Sequence, residues 1–447
     1  MQSKGAKKTL RGKLPNLPSS DLKRYEKDSP GAIDLNYFIL VADKDGRPGF
    51  KRAIIIECRL DKEIFRNRTL EEVREDASVY LKESSYEYYI HYEHMNRRLD
   101  EWVKADRISK TDEFIDMKKI KASNKAQGIH YSSDEEYDGL DKNARQEHED
   151  ATKIKTIKQI KFGEYCADTW YYSPYPDGYH DIDCIHYCEF CLCFYVDENE
   201  LRNHMEKCTL VHPPGNQIYW DAERSLAMFE VDGYKNPTYC ENLCYLAKLF
   251  LDHKFLLYQM NLFLFYILCT KDEYGFHIVG YFSKNKDFSD GFNLSCILTL
   301  PFHQRKGYGK LLINMSYELS KIEKKVGTPE KPLSDLGKQT YLSFWTEKII
   351  DYVKMMIARG ENFTLQDIID NTAIRYEDTI DALEKVNLIK RVKNEIHICT
   401  NKTLLDEIQK KLGQPTIPVL TENLRWHPFD FKYLNQDNKD QARILPV

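Results

Sequence analysis

Short apolar runs separated by turn signals occupy residues 36–103, and this pattern predicts a small β-structure. The runs Tyr37–Val41, Ala53–Cys58 and Ser85–Tyr92 have the β-branched and aromatic character of strands. An Asp-Gly-Arg-Pro turn at 45–48 separates the first two runs. We therefore predict a small N-terminal β-barrel over residues 36–104.

The second half of the chain carries both strand and helix patterns. Leu262–Cys269 is a continuous run of eight apolar residues, which predicts a buried strand. The runs Phe276–Ser283 and Phe292–Leu300 predict a hairpin, and Leu311–Lys324 has helical spacing. From residue 344 onward, helical patterns followed by a β-like Ile389–Ile398 predict a winged-helix-like lobe. The predicted fold class is α+β.

Three segments lack an apolar period. Residues 1–30 carry eight Lys and Arg against three Asp and Glu, so residues 1–35 are predicted to be a disordered basic tail. Ser132–Asp150 holds eight acidic and two basic residues, which makes 105–155 an acidic flexible linker. Residues 436–447 are a polar tail.

Composition narrows the class of protein. With 447 residues, of which 42% are hydrophobic and 30% charged, the chain is globular and has about three domains. Its net charge of −5 leaves no overall basic field for nucleic acid. No apolar run approaches the roughly 20 residues of a membrane span. The twelve cysteines are spread over a large chain without a secretory signal, so clustered ones are expected to bind metal.

One cluster has the spacing of a zinc site: two Cys separated by two residues, then His, then Cys four residues later. Such a set can close a tetrahedral shell, which predicts a structural Zn²⁺ within a finger at 186–211. The ligands are Cys188, Cys191, His204 and Cys208. The helix positions that would read DNA bases are Asp197, Glu200 and Asn203, so a scaffolding finger is favoured over a DNA-reading one.

A glycine-containing loop lies between the predicted strand and helix, at Gln304–Lys310. Backbone amides at a helix N-terminus suit an anion such as a pyrophosphate, and glycine lets the ligand approach closely. The spacing is neither that of a Walker A loop nor that of a dinucleotide fingerprint. It matches the Gln/Arg-x-x-Gly-x-Gly/Ala acetyl-CoA loop of N-acetyltransferases.

Together with the segments 295–301 and 326–337, this loop resembles the corresponding motifs of the MYST family of lysine acetyltransferases. Further matching blocks lie at 168–171, 173–176, 212–216 and 249–254. The resemblance covers about residues 156–430. Segments 89–92 and 100–103 resemble a chromo-barrel (tudor-knot) domain, as in the chromo-barrel branch of that family.

The resemblance implies an N-acetyltransferase-like mixed α/β catalytic domain at 156–435. It would consist of the embedded zinc finger, an acetyl-CoA core at 236–343 and the winged-helix-like lobe at 344–435. Glu330 would be the general base, Cys296 would line the site or carry the acetyl group covalently, and Lys254 would be autoacetylated. The implied acetyl-CoA contacts are Ile297, Leu298, Thr299, Gln304, Arg305, Lys306, Gly307, Tyr308, Gly309, Lys310, Ser334 and Ser343.

The expected function is acetyl transfer from acetyl-CoA to lysines of nucleosomal histone tails, on histone four or histone two-A, by a nuclear enzyme within a multisubunit complex. Two alternatives stay open: a chromatin- or RNA-binding module with an inert core, and an acetyltransferase acting mainly on non-histone proteins. The barrel could contact RNA, DNA or methyl-lysine through aromatic residues that could equally form its core. Those residues are Tyr86, Tyr88, Tyr89 and Tyr92.

Overall fold

The computed structural model describes residues 32–33, 37–43, 49–65, 68, 72, 79, 82–115, 152, 154–179, 182–252, 260–287, 290–392 and 395–429. These residues divide into two compact units. One unit holds the described residues before 155 together with 176–179, and the other holds 155–175 and 182–429. No helix in the described ranges is long and apolar enough to cross a membrane.

The N-terminal unit is built on a five-stranded antiparallel sheet. Its strands are β1 (Tyr37–Ala42), β2 (Phe50–Leu60), β3 (Tyr86–Tyr92), β4 (Glu101–Lys104) and β5 (Ile108–Phe114), in the order β4-β3-β2-β1-β5. The first three match the predicted strands. The boundary predicted at residue 104 is wrong, because β5 pairs with β1 inside the predicted flexible linker. This edge strand exposes Ser109, Lys110 and Glu113, so its sequence has the polarity of a linker.

The tyrosines of β3 are core residues. Tyr86, Tyr88, Tyr89 and Tyr92 are each at most 5% exposed, and three of them pack with Ile39, Val41 and Ile55. The Tyr88 hydroxyl accepts a hydrogen bond from the Ile33 amide (3.2 Å) and donates one to the Glu83 carbonyl (3.3 Å). Of the two interpretations of these aromatics, the structure supports core packing.

The second unit begins with a four-stranded sheet that the sequence patterns did not predict. It comprises β6 (Ile157–Phe162), β7 (Tyr165–Asp168), β8 (Ile182–Tyr187) and β9 (Phe194–Tyr195), in the order β7-β6-β8-β9. Helix α1 (Glu198–Met205) follows, and the Asp197 side chain caps it by accepting the Asn199 amide.

A five-stranded antiparallel sheet forms the centre of this unit. Its strands are β10 (Asn216–Asp221), β11 (Leu226–Asp232), β12 (Phe263–Lys271), β13 (Phe276–Asn285) and β15 (Cys296–Thr299), in that order. Helices α2 (Pro237–Lys248) and α3 (Tyr308–Ile322) accompany it. Apolar side chains of α3, including Leu312, Met315 and Leu319, pack with buried residues of the sheet. The buried strand predicted at 262–269 and the helix predicted at 311–324 are confirmed.

The strand predicted over 292–300 is divided. β14 (Phe292–Leu294) pairs in parallel with β16 (Thr328–Pro329), whereas β15 pairs with β13. The two parts separate at Ser295, where the chain changes partner. The predicted hairpin therefore exists between β13 and β15, and β14 belongs to a second, two-stranded sheet.

The C-terminal region is helical with one hairpin. It contains α4 (Asp335–Arg359), α5 (Leu365–Thr372), α6 (Tyr376–Lys385), β17 (Ile389–Val392), β18 (Glu395–Ile398) and α7 (Lys402–Lys411). The order of helices and hairpin matches the predicted winged lobe. The predicted boundary between residues 343 and 344 is wrong, because it falls inside α4. That helix begins at Asp335, where the Ser334 side chain accepts a hydrogen bond from the Gly337 amide. The start is difficult to predict from the sequence because the first turn contains a glycine, which disfavours helix.

Candidate active site and metal centre

The four predicted zinc ligands come from two local structures. Cys188 directly follows β8, and the turn after it is closed by hydrogen bonds from the Leu192 amide to the Cys188 carbonyl and from the Cys188 amide to the Cys193 carbonyl (both 2.9 Å). Leu192 adopts a positive φ of 63° in this turn. The turn brings Cys188 and Cys191 side by side, while α1 presents His204 and the turn after it presents Cys208.

The ligand atoms of this cluster lie within 4.8 Å of one another. Cys188 Sγ is 3.9 Å from Cys208 Sγ, and Cys191 Sγ is 3.2 Å from His204 Nε2. Thiolates bound at about 2.3 Å to a tetrahedral Zn²⁺ lie roughly 3.8 Å apart, so three thiols and one imidazole fit this metal. Cys184 and Cys193 are not members of any metal-holding cluster found among the described residues.

A histidine on the central sheet joins this turn to β13. His277 Nδ1 lies 2.6 Å from Glu189, between the first two cysteines, and its Nε2 lies 2.8 Å from Asp272. Burial acts to lower the pKa of His277, but hydrogen bonds to Glu189 and Asp272 outweigh it and raise the pKa above the ordinary value. The sequence patterns did not identify these contacts, because Glu189 lies 88 positions from His277 along the chain.

The glycine loop lies between β15 and the start of α3, as its sequence predicts. Arg305 and Gly307 have positive φ angles of 61° and 88°, and α3 begins immediately after Gly307. The Gln304 side-chain amide donates to the Thr299 carbonyl (3.2 Å), which holds the loop against the end of β15. Among the described residues, no side chain caps the first turn of α3. These amides can therefore serve an anionic ligand.

The three basic residues of the loop have different surroundings. Arg305 and Lys306 are exposed, whereas the Lys310 ammonium lies 3.1 Å from the buried Glu347 carboxylate. Lys306 Nζ is 3.4 Å from His303 Nδ1, and burial, together with the nearby Lys306 charge, lowers the pKa of His303 to about 4. His303 is therefore neutral at physiological pH, and its Nδ1 can accept from Lys306.

The predicted base and thiol lie next to the place where β14 and β15 part. The Glu330 amide donates to the Leu294 carbonyl (2.8 Å), and the exposed Glu330 follows the end of β16. Two residues beyond Leu294, Cys296 begins β15 half-buried, and its amide donates to the Ser283 hydroxyl (3.2 Å). One backbone hydrogen bond and a single intervening residue, Ser295, thus connect the segments that carry Glu330 and Cys296, which are 34 positions apart in the sequence.

The remaining predicted residues lie in β15, at the start of α4 and within α4. Ile297, Leu298 and Thr299 form the rest of β15 and lead into the glycine loop. The Ser334 side chain caps α4, and the Ser343 hydroxyl donates to the Leu412 carbonyl (3.3 Å). Lys254 lies outside the described residues.

Comparison of the sequence with known proteins identifies the family of this chain. Residues 212–423 match the model of the MOZ/SAS family, 154–208 match the MYST family zinc finger domain, and 40–110 match the tudor-knot, described as an RNA binding activity-knot of a chromodomain. The protein named histone acetyltransferase of the MYST family 1, from Arabidopsis thaliana, is 45% identical over 77% of this chain and 79% of its own length. The chain belongs to the MYST family.

Two further relatives agree with this assignment. Histone acetyltransferase of the MYST family 2, also from Arabidopsis thaliana, is 45% identical over 78% of this MYST chain and 79% of its own length. A protein named histone acetyltransferase Tip60 homolog, from Caenorhabditis elegans, is 39% identical over 81% of the chain and 87% of its own length. The MYST chain is a lysine acetyltransferase, and its family implies acetyl-CoA as the acetyl donor.

Proposed function

We propose that this enzyme transfers the acetyl group of acetyl-CoA to lysine side chains of histone tails in nucleosomes, with Glu330 as general base. Histone four and histone two-A are the proposed substrates, and the enzyme acts in the nucleus within a multisubunit complex. The observation that carries the proposal is the backbone link between Glu330 and the strand that continues into Cys296 and the glycine loop.

The chemistry requires a neutral amine. At pH 7 only about 10⁻³ to 10⁻⁴ of a free lysine is deprotonated. Glu330 takes a proton from the substrate ammonium, and the freed nitrogen attacks the thioester carbonyl. The carbon–sulfur bond then breaks, and the CoA thiolate takes up the proton that the attacking nitrogen loses as the amide forms. A base in this role contributes about 10²- to 10⁴-fold.

The glycine loop is the proposed site for the acetyl-CoA pyrophosphate. Its support is the uncapped start of α3 together with the exposed Arg305 and Lys306, which add positive charge beside the amides. A side chain at Gly307 would meet Ile417 at 3.3 Å and would have to accept a φ of 88°. Glycine at this position therefore avoids both a tight contact with Ile417 and a strained backbone at the start of α3.

Cys296 has two proposed roles. Its thiolate could accept the acetyl group from CoA and pass it to lysine, or it could line the site while the amine attacks acetyl-CoA directly. We favour direct attack, with Cys296 shaping the site. In that case Cys296→Ala keeps most of the activity and no acetyl thioester accumulates on Cys296 when the protein is mixed with acetyl-CoA alone. The same mixture also tests Lys254, the proposed autoacetylation site.

The proposed function is tested with labelled acetyl-CoA on nucleosomes and on free core histones. Wild type should label a histone band, and the labelling rate of folded Glu330→Gln should be lower by about 10²-fold or more at neutral pH. Glu361→Gln, the same change at an exposed glutamate beyond the end of α4, is the matched control and should label normally. Labelling by Glu330→Gln at the wild-type rate would reject the base assignment. A wild type that binds acetyl-CoA and labels itself, but leaves both nucleosomes and free core histones unlabelled, would reject the histone substrate.

A further inference from the structure

The segment that carries Glu330 is held from two sides by backbone hydrogen bonds. On one side, the amides of Thr328 and Glu330 donate to the carbonyls of Gly291 and Leu294 (3.2 and 2.8 Å). On the other side, the Gly327 amide donates to the Ala373 carbonyl (2.8 Å), and the Gly327 carbonyl accepts from the Arg375 amide (3.2 Å). The base segment, residues 327–331, therefore connects β14 with the turn that leads into α6.

A buried carboxylate of α6 adds side-chain contacts to the same segment. Asp378 is 1% exposed, and its Oδ2 accepts a hydrogen bond from the Thr328 hydroxyl at 2.5 Å. Its Oδ1 lies 4.0 Å from Lys331 Nζ. One carboxylate thus contacts the residue two before Glu330 and the residue directly after it.

We infer that Asp378 is a positioning residue for Glu330, fixing the base through Thr328 and Lys331. The inference rests on the proposed function, in which Glu330 removes the proton from the substrate lysine. Because Glu330 is exposed, its placement depends on its backbone more than on packing around its side chain. A displacement of about 1 Å at a reacting group can cost about 10²-fold in rate.

Asp378 lies in the first turn of α6, where the helix N-terminus favours a carboxylate, but a buried carboxylate needs further partners. Burying a carboxylate is unfavourable unless hydrogen bonds and opposite charge compensate for it. At Asp378 those partners lie on either side of the base, and Arg375 adds positive charge from the residue before α6. The contacts that offset the burial of Asp378 are thus the contacts that hold the base segment.

The test is a double-mutant cycle in the full-length protein, with steady-state acetylation of a histone-tail peptide. Asp378→Asn and Thr328→Val should each lower kcat by about 10-fold, with the KM for acetyl-CoA changed less than about 2-fold. Thr328→Ser keeps the hydroxyl and should retain most of the activity. Asp370→Asn, which removes an exposed carboxylate from α5, is the matched control and should be unchanged.

The deciding measurement repeats both substitutions in the Glu330→Gln background, at a raised pH where unaided deprotonation keeps the rate measurable. If Asp378 acts through Glu330, each substitution then costs less than about 2-fold, because the base it positions is already absent. The same 10-fold loss in that background, or no loss in the wild-type background, would overturn the inference. If Glu330→Gln itself is fully active, the base assignment fails and the positioning role fails with it. Should Asp378→Asn not fold, the Thr328→Val and Thr328→Ser pair decides alone.

Discussion

Replacing Lys310 with Met separates two roles that the end of the glycine loop could have: binding phosphate and holding the fold. The Lys310 side chain is 13% exposed, and its ammonium lies 3.1 Å from Glu347 Oε2 and 3.0 Å from the Gln414 carbonyl. Glu347 also accepts hydrogen bonds from the Thr416 amide (2.7 Å) and hydroxyl (2.9 Å). Lys310 therefore ties the start of α3 to α4 and to the segment around Thr416.

The magnitude follows from this burial. Removing one partner of a buried ion pair costs about 3–5 kcal/mol, because the other charge stays in a poorly solvated site. The two hydrogen bonds from Thr416 continue to stabilise the carboxylate, so we expect the lower end, about 3 kcal/mol, for Lys310→Met. The affinity for acetyl-CoA should change less than about 3-fold. Lys306→Met should leave the free energy of unfolding within about 0.5 kcal/mol of wild type. It should weaken acetyl-CoA binding by about 5-fold, as expected for the loss of an exposed charge that would face phosphate.

Unfolding in denaturant, followed by tryptophan fluorescence, measures the stability, and calorimetric titration measures acetyl-CoA binding. Fluorescence is suited to this because four of the five tryptophans lie in the second unit: Trp170, Trp220, Trp345 and Trp426. The double variant Lys310→Met/Glu347→Gln should lose less unfolding free energy than the two single variants lose together, by at least about 1 kcal/mol. A Lys310→Met protein as stable as wild type, or one that loses more acetyl-CoA affinity than Lys306→Met, would refute the reasoning.

Three further expectations follow from the described contacts. Metal analysis should find about one Zn²⁺ per chain, and Cys208→Ser should reduce it, since the set then lacks one of its thiolates; an unchanged metal content would contradict the assignment. His277→Gln should destabilise the protein more at pH 5.5 than at pH 9. The raised pKa of His277 means that its bonds to Glu189 and Asp272 contribute fully below its unfolded pKa and are lost as pH rises through the folded one. A loss independent of pH would exclude this. Tyr88→Phe should cost the barrel about 1–3 kcal/mol in thermal or denaturant unfolding, because the buried Ile33 amide loses its acceptor; a stability equal to wild type would show that the hydroxyl is not needed.

The parts of the site that sequence could predict are local ones. The four zinc ligands lie within 21 consecutive positions, and their spacing alone implies that they converge. The glycine loop is likewise one continuous segment between a strand and a helix, so its place at the start of α3 follows from its own residues, whereas the positive φ of Arg305 does not. Glu330 is different, because without the family resemblance it is one exposed loop carboxylate among many.

The parts that sequence could not predict depend on distant partners. Asp378 meets Thr328 across 50 positions, and Glu347 meets Lys310 across 37. In the sequence both acids have the pattern of ordinary polar helix residues, and only tertiary packing shows that they are buried. Strand β5 was missed for a related reason, since an edge strand with exposed polar residues gains its order from pairing with β1 and not from its own composition.

Because the chain changes strand partner at Ser295, the number of residues around this point sets the spacing between the segments that carry Glu330 and Cys296. Leu294 is tied to Glu330, and Cys296 is paired in register with Ser283, so a single residue separates the two attachments. Since neighbouring strand residues point to opposite faces, inserting or deleting one residue here would turn Cys296 to the other face of the sheet. Many side-chain changes in this short stretch can be absorbed by repacking, whereas a change in its length requires a bulge or a shift of register. The number of residues in segment 292–299 thus fixes the spacing between the base and the thiol, and evolution or engineering can vary its side chains more freely than its length.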